Sequence, residues 1–285
     1  MTRPPYLTDR ALKHFITSAL AEDIGEGDHS TQAAIPSGKK ARAKLLVKDE
    51  GIIAGIEAAR LIFNEVDPTL KITFFKHDSN PIAKGEIAFD VYGEARSILS
   101  AERLVLNCMQ RMSGIATLTH RLCQLIKGTT TQLMDTRKTT PNFRLMEKWA
   151  VAIGGGRNHR FALYDMIMLK DNHIDLAGGI TQAVNNARAY LKAQNKNLLI
   201  EVETRNLNEV KEALASQADI IMLDNMSLTD MQEAVKLIDQ RCKTEASGGI
   251  TESNLRAVAE CGVDYISVGA LTHSVKSLDL SLKIF

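Results

Sequence analysis

Leu198-Leu199-Ile200-Glu201-Val202-Glu203, then Leu207 to Ala215, then Ile220-Ile221-Met222-Leu223-Asp224, is the stretch whose reading decides the fold. Each short apolar run predicts a strand buried on both faces, and the segment between them carries helical spacing. The same beat extends in both directions. Candidate strands are Gln132 to Thr136, Met166 to Lys170, Leu198 to Glu203, Ile220 to Leu223, Lys243 to Ala246 and Tyr265 to Gly269. Candidate helices are Ile180 to Lys192, Leu207 to Ala215, Leu228 to Ile238 and Glu252 to Cys261. So many β-then-α units in series predict a closed or nearly closed α/β barrel, with a doubly wound open sheet as the rival architecture.

The barrel reading exposes a regularity. Almost every candidate strand ends in residues able to do chemistry or touch a phosphate: Asp135 with Arg137 and Lys138, Lys170, Glu201 with Glu203, Asp224, Ser247 with Gly248 and Gly249, and Gly269 with Ala270. Barrel active sites form at that rim because strand ends and the following loops converge there. Ser247-Gly248-Gly249-Ile250-Thr251 is expected to run straight into a helix and cradle a phosphate beside Val268-Gly269-Ala270. A tight turn capped by Thr251 is the plainer alternative.

Upstream, an amphipathic segment from Ala11 to Glu22 precedes alternating stretches at Ala41 to Lys48, Lys71 to Lys76 and Glu86 to Gly93, which predict antiparallel strands. Leu99 to Ile126 reads as one helix, or two joined near Ser113-Gly114. The composition, 45% hydrophobic and 24% charged over 285 residues, excludes disorder and a collagenous repeat. No apolar run is long enough for a membrane span, and Met1 to Pro5 leads into no signal-peptide core. A cytoplasmic protein is therefore expected. Cys108, Cys123, Cys242 and Cys261 lie far apart without a Cys-x-x-Cys pair, which predicts buried structural thiols.

Charge is focused. Between Thr136 and Lys170, seven Lys and Arg stand against Glu147 and Asp165, a local balance of +5 in a chain whose net charge is +1. That pattern suits a small, multiply anionic ligand better than a nucleic acid, which calls for charge spread over a domain. Gly154-Gly155-Gly156 lacks the spacing of a P-loop or dinucleotide fingerprint; it is expected to bend the backbone so that His159 and Arg160 point inward. Arg144 and Lys148 read equally well as ligand cations or as solvated helix charges. Lys170, at a buried strand end, suits a Schiff-base nucleophile or a fixed cation, and the neighbouring cations favour the second. Glu201 and Asp224 suit sugar hydroxyls or Mg²⁺ held through water; neutralising the cations is their plainer use. His159, His173 and His273 lack zinc-ligand spacing.

Together these blocks resemble the quinolinate phosphoribosyltransferase family along nearly the whole chain. They are Glu102-Arg103-Leu104 with Ser113-Gly114-Ile115-Ala116-Thr117, Thr136-Arg137-Lys138-Thr139 with Pro141 and Arg144, Gly154-Gly155-Gly156 with Asn158-His159-Arg160, Lys170-Asp171-Asn172-His173, Glu201-Val202-Glu203, Leu223-Asp224-Asn225, Ser247-Gly248-Gly249-Ile250 and Ser267-Val268-Gly269-Ala270. Asn142 stands where the family pattern leads one to expect glycine, and asparagine tolerates a left-handed backbone.

The resemblance implies a transfer of phosphoribosyl from phosphoribosyl pyrophosphate to quinolinate, with loss of carbon dioxide. It implies an N-terminal α/β sandwich over residues 1–112, to which the tail 274–285 returns, and an incomplete, open α/β barrel over residues 113–273. Arg137, His159, Arg160 and Lys170 would hold the dicarboxylate, with Thr136 beside them and Lys138 near the pyrophosphate. Glu201 and Asp224 would bind ribose and, through water, the Mg²⁺ of the pyrophosphate. Ser247, Gly248, Gly249, Val268, Gly269 and Ala270 would anchor the 5′-phosphate. Arg103 would reach the site of a neighbouring subunit, making a homodimer, itself a possible building block of a hexamer, necessary for activity. A Schiff-base aldolase on Lys170, a paralogue associated with molybdate uptake and nicotinate phosphoribosyltransferase are the rivals.

Overall fold

The computed structural model describes residues 3–285, so Met1 and Thr2, the first residues of the stretch read as no signal peptide, lie outside the described residues. The chain divides into two compact units. One comprises the residues up to His120 with Lys138–Gly155 and Ala270–Phe285, the other Arg121–Arg137 with Gly156–Gly269.

In chain order the first unit contains α1 (Asp9–Ile24), α2 (His29–Ala34), β1 (Lys40–Val47), β2 (Gly51–Ile52), α3 (Ile56–Val66), β3 (Lys71–Phe74), β4 (Pro81–Ile82), β5 (Ile87–Glu94) and α4 (Ala95–Leu125), the last residues of α4 belonging to the second unit. Next come β6 (Gln132–Met134) and α5 (Arg144–Ile153), the latter back in the first unit. The second unit continues with β7 (Ile167–Leu169), α6 (Asp171–Ala177), α7 (Ile180–Ala193), β8 (Ile200–Thr204), α8 (Leu207–Ala215), β9 (Ile220–Asp224), α9 (Leu228–Ile238), β10 (Lys243–Ser247), α10 (Leu255–Glu260) and β11 (Tyr265–Ser267). Helix α11 (Ala270–His273) and strand β12 (Leu280–Ile284) end the chain in the first unit.

The first unit's sheet has the order β12-β1-β5-β3 and is antiparallel. Ala43, Leu45 and Val47 alternate into its core, and the C-terminal strand extends the sheet with Val47 opposite Leu280 and Ala43 opposite Ile284. Period-two burial thus carries the predicted strands. Helix α4 is continuous through Ser113-Gly114, where a break was open. Ser113 Oγ takes the Ala54 amide at 2.9 Å, and a Cβ on Gly114 would collide with the Lys276 carbonyl. Both small residues serve close packing of α4, and neither interrupts it.

The second unit's sheet is parallel, with the order β6-β11-β10-β9-β8-β7. Arg157 extends the β6 edge through a parallel bridge to Met134. Neighbouring strands lie about 4.8 Å apart, so in a flat sheet β8 would stand about 19 Å from β6. Yet Nε2 of His159, two residues beyond that bridge, is 3.1 Å from Glu201 of β8. The sheet is therefore curled into an incomplete barrel, open between the Arg157 side of β6 and β7.

One expectation changes here. Cys108 and Cys261 are buried, but Cys123 and Cys242 are half-buried; all four are unbridged. Burial pushes the Cys108 thiol up to about 12, which suits a packing role. No helix among the described residues is long and apolar enough to cross a membrane.

Candidate active site

The strand ends of the second unit bring several of the candidate residues together. Lys170 follows β7 directly, and its Nζ lies 3.4 Å from Oε2 of Glu203 on β8. Burial foremost pushes the Glu203 carboxyl up; Lys170 opposes this, and the like charge of Asp224 adds to it. Glu203 and Asp224 are thus a pair of half-buried carboxylates beside a cation. Asp224 sits opposite Ser247 in the sheet register and accepts from Asn225 Nδ2 at 2.8 Å.

Gly248 and Gly249 follow with φ of 86° and 61°, and a Cβ on Gly248 would collide with the Asn225 side chain. The loop does not run straight into a helix. Helix α10 begins at Leu255 with Asn254 as its cap residue, and Asn254 accepts the Thr251 amide at 2.8 Å while donating to the Gly249 carbonyl at 3.1 Å. A turn closed by one asparagine therefore shapes this loop, and Thr251 is not the cap.

On the β6 side, Asp135 is fully buried and takes the Asn158 amide group at 2.6 Å and the His159 backbone N–H at 2.9 Å. One carboxylate thereby lays the residues after the triple glycine along the sheet edge. Arg160 is half-buried, and its Nη1 donates to the Met166 carbonyl at 3.1 Å. Its pKa is lowered by burial and then by the Arg137 guanidinium. Two guanidiniums held near each other in a partly desolvated place are suited to receive an anion.

In the first unit, the glycines and cations prove more varied than their sequence suggested. Gly154 is helical and packs where a Cβ would meet the Ala116 carbonyl and Thr119, whereas Gly155 has φ of 94°. Asn142, in place of the expected glycine, adopts φ of 60°. Lys148 is fully buried, which removes the solvated-charge reading for it, while Arg144 Nε donates to Thr139 Oγ1 at 2.9 Å. Arg103 and Lys138 are exposed, and Ala270 is half-buried. In the second unit Thr136, Arg137, Ser247, Gly248 and Gly269 are half-buried, Gly249 is exposed and Val268 is buried.

Glu201 lies elsewhere than expected. It has no exposed surface and faces His159, whose Nε2 is 3.1 Å from Glu201 and 3.3 Å from an equally buried Glu245. Burial first, and then the charge of Glu245, raise the Glu201 pKa to about 7. Burial alone would depress the His159 pKa, but the two carboxylates raise it. Glu245 was passed over in the sequence, although a carboxylate in the middle of a buried strand is a signal in itself, since burying one is costly without a partner.

Residues 28–113 match the family description "Quinolinate phosphoribosyl transferase, N-terminal domain", and residues 115–283 match "Quinolinate phosphoribosyl transferase, C-terminal domain". A nicotinate-nucleotide pyrophosphorylase (carboxylating) of Oryza sativa subsp. japonica, named chloroplastic, is 48% identical over 99% of this chain and 80% of its own. A Bacillus subtilis protein named as the probable enzyme of that kind is 43% identical over 96% of this chain and 93% of its own. The crystal structure of NadC from Streptococcus pyogenes superposes with a TM-score of 0.90 at 39% identity, covering 100% of this chain and 99% of that one.

Proposed function

This chain belongs to the quinolinate phosphoribosyltransferase family, and we propose that it joins quinolinate to the ribose of phosphoribosyl pyrophosphate, giving nicotinate mononucleotide, pyrophosphate and carbon dioxide. The observation that carries this reading is the half-buried Arg160 lying near half-buried Arg137, where burial first and then the like charge of Arg137 lower the Arg160 pKa. Quinolinate brings two carboxylates to such a place. Arg137, Arg160 and Lys170 grip them, with His159 standing behind Arg160.

In the transfer, the bond from ribose C1 to the pyrophosphate oxygen breaks and a bond from the pyridine nitrogen to C1 forms. Positive charge develops on the ribose meanwhile. The half-buried carboxylates of Glu203 and Asp224 suit stabilising it and accepting from ribose hydroxyls, which favours Glu203 over the buried Glu201 for that role. Breaking the bond from ring C2 to its carboxylate releases carbon dioxide and leaves the electron pair on C2, stabilised by the adjacent positive ring nitrogen, and that pair then takes a proton from water. No residue has to become covalently attached. The ion pair of Lys170 with Glu203 supports the fixed-cation role over a Schiff base, which needs a neutral amine.

Half-buried, like-charged Glu203 and Asp224 also fit the water shell of Mg²⁺. When bound, Mg²⁺ supplies neutralisation of pyrophosphate charge. Lys138, next to Arg137 in the chain, attends the pyrophosphate, and Ser247, Gly248, Gly249, Val268, Gly269 and Ala270 take the 5′-phosphate. Exposed Arg103 reaches a partner subunit's site in a dimer. We place the enzyme in the cytoplasm on its unbridged cysteines, although plant relatives are named chloroplastic or mitochondrial.

The test is one assay with Mg²⁺, phosphoribosyl pyrophosphate and either quinolinate or nicotinate, following carbon dioxide and mononucleotide together. Both products from quinolinate alone are expected. Turnover of nicotinate, or silence with both acids from a folded dimer, would overturn the reading.

A further inference from the structure

The proposed mechanism leaves one buried set of titratable groups without a task. His159, Glu201 and Glu245 place their polar atoms within 4.8 Å of one another; His159 Nε2 lies 3.1 Å from Glu201 and 3.3 Å from Glu245, and no aligned hydrogen bond from any donor among the described residues reaches the four carboxylate oxygens. Such a cluster can hold a divalent cation or protons, and the imidazole decides between them. Its Nδ1 accepts the Arg160 backbone N–H at 2.7 Å. An amide N–H only donates, so Nδ1 presents a lone pair and the ring proton sits on Nε2, facing Glu201 and Glu245. A metal on Nε2 needs the reverse arrangement, with Nδ1–H donated to an acceptor.

We propose that Glu245, together with Glu201, is a positioning residue of the quinolinate grip: the two carboxylates hold the Nε2–H of His159 and so keep Nδ1 as the acceptor that fixes the Arg160 backbone. Attraction to the carboxylates favours a second ring proton on Nδ1, but there it would meet the Arg160 N–H head-on. The same proton shared between Glu201 and Glu245 leaves the cluster's charge unchanged and relieves the repulsion of two adjacent buried carboxylates. The negative charge of Glu201 also acts on Arg160, offsetting the repulsion from Arg137.

This inference rests on Arg137, Arg160 and Lys170 being the quinolinate grip, so its first test is independent of turnover. Long-range ¹H–¹⁵N correlation on the whole enzyme with ring-labelled histidine, the His159 signals identified by their loss in His159→Gln, should show Nε2 protonated and Nδ1 bare. Both nitrogens protonated, or Nδ1 alone, would overturn it, as would stoichiometric Zn²⁺ or Mn²⁺ binding abolished by Glu245→Leu. Kinetically, Glu245→Leu should raise KM for quinolinate about tenfold or more while KM for phosphoribosyl pyrophosphate stays within about twofold, tenfold being about 1.4 kcal/mol. Glu245→Gln, whose carbonyl still accepts the Nε2–H, should recover most of the loss. An unchanged quinolinate KM in the leucine variant, or an equal rise in both constants, would refute the assignment.

Discussion

Arg111 and Glu147 meet as a fork on a carboxylate that has no exposed surface, with Nε at 3.1 Å and Nη2 at 2.8 Å from the same oxygen. Thr140 adds its backbone N–H at 2.9 Å and its hydroxyl at 3.0 Å to Glu147, while Arg111 Nη1 reaches the Val275 carbonyl at 2.9 Å. A buried carboxylate with this many donors is costly to remove. Glu147→Ala is expected to destabilise the fold by about 3–5 kcal/mol, since it strands the arginine beside the cavity. Urea denaturation measures this, and a loss below about 1 kcal/mol would show the pair to be dispensable.

The carboxylates of β8 should separate by function. Glu203→Ala is expected to lower kcat about a hundredfold or more, the scale of one lost charge-stabilising group, with the thermal midpoint nearly unchanged. Glu201→Ala should leave kcat within a few-fold, while raising KM for quinolinate and lowering the thermal midpoint. Equal kinetic losses with equal stability would contradict the placement of Glu203 beside Lys170.

Arg137→Ala is expected to weaken quinolinate binding by about ten- to a hundredfold, the range of a charge-assisted bidentate contact. Arg137→Lys should recover only part, because an ammonium cannot copy the guanidinium fork. Titration calorimetry with quinolinate reads both variants, and wild-type affinity in the alanine protein would remove Arg137 from the grip.

Gly248→Ala is expected to raise KM for phosphoribosyl pyrophosphate with little effect on quinolinate. The position has φ of 86°, and its new methyl would collide with the Asn225 side chain next to Asp224. Unaltered kinetics in that variant would exclude the loop from phosphate binding.

Glu201 predicts a pH dependence with a definite sign. Its pKa rises from 4.5 to about 7 on folding, so the folded chain holds a proton that the unfolded chain releases. The stability this contributes is complete below pH 4.5 and is lost as pH rises to about 7. The stability difference between wild type and Glu201→Gln, measured by urea denaturation across that window, should fall with pH; a rise would show that the carboxylate is ionised and paired.

Local spacing carried most of the architecture. The strands beginning at Ile220, Lys243 and Tyr265 and the helices from Leu207 and Leu228 start where their periodicity put them, because burial on both faces of a parallel strand writes itself into consecutive residues. Helix α5 lies in a stretch that was not among the candidate helices and whose cations Arg144 and Lys148 read equally well as ligand cations or as solvated helix charges, although Leu145, Met146, Trp149, Ala150 and Ile153 carry helical spacing. Lys148 could not be assigned without the packing that buries it.

The sequence by itself determined that carboxylates would sit at Glu201, Glu203 and Asp224 and that Glu201 and Glu203 would share one face of their strand, since side chains alternate with period two. Depth was decided only by the tertiary structure. Strand alternation says nothing about how high a residue stands in a barrel, because that height depends on the tilt and stagger of every strand around it. Curling the sheet brought Glu245 of β10 and Glu201 of β8 beneath His159 and left Glu203 beside Lys170. The same curvature made one pair of glutamates a buried support and their neighbour a candidate for the reaction.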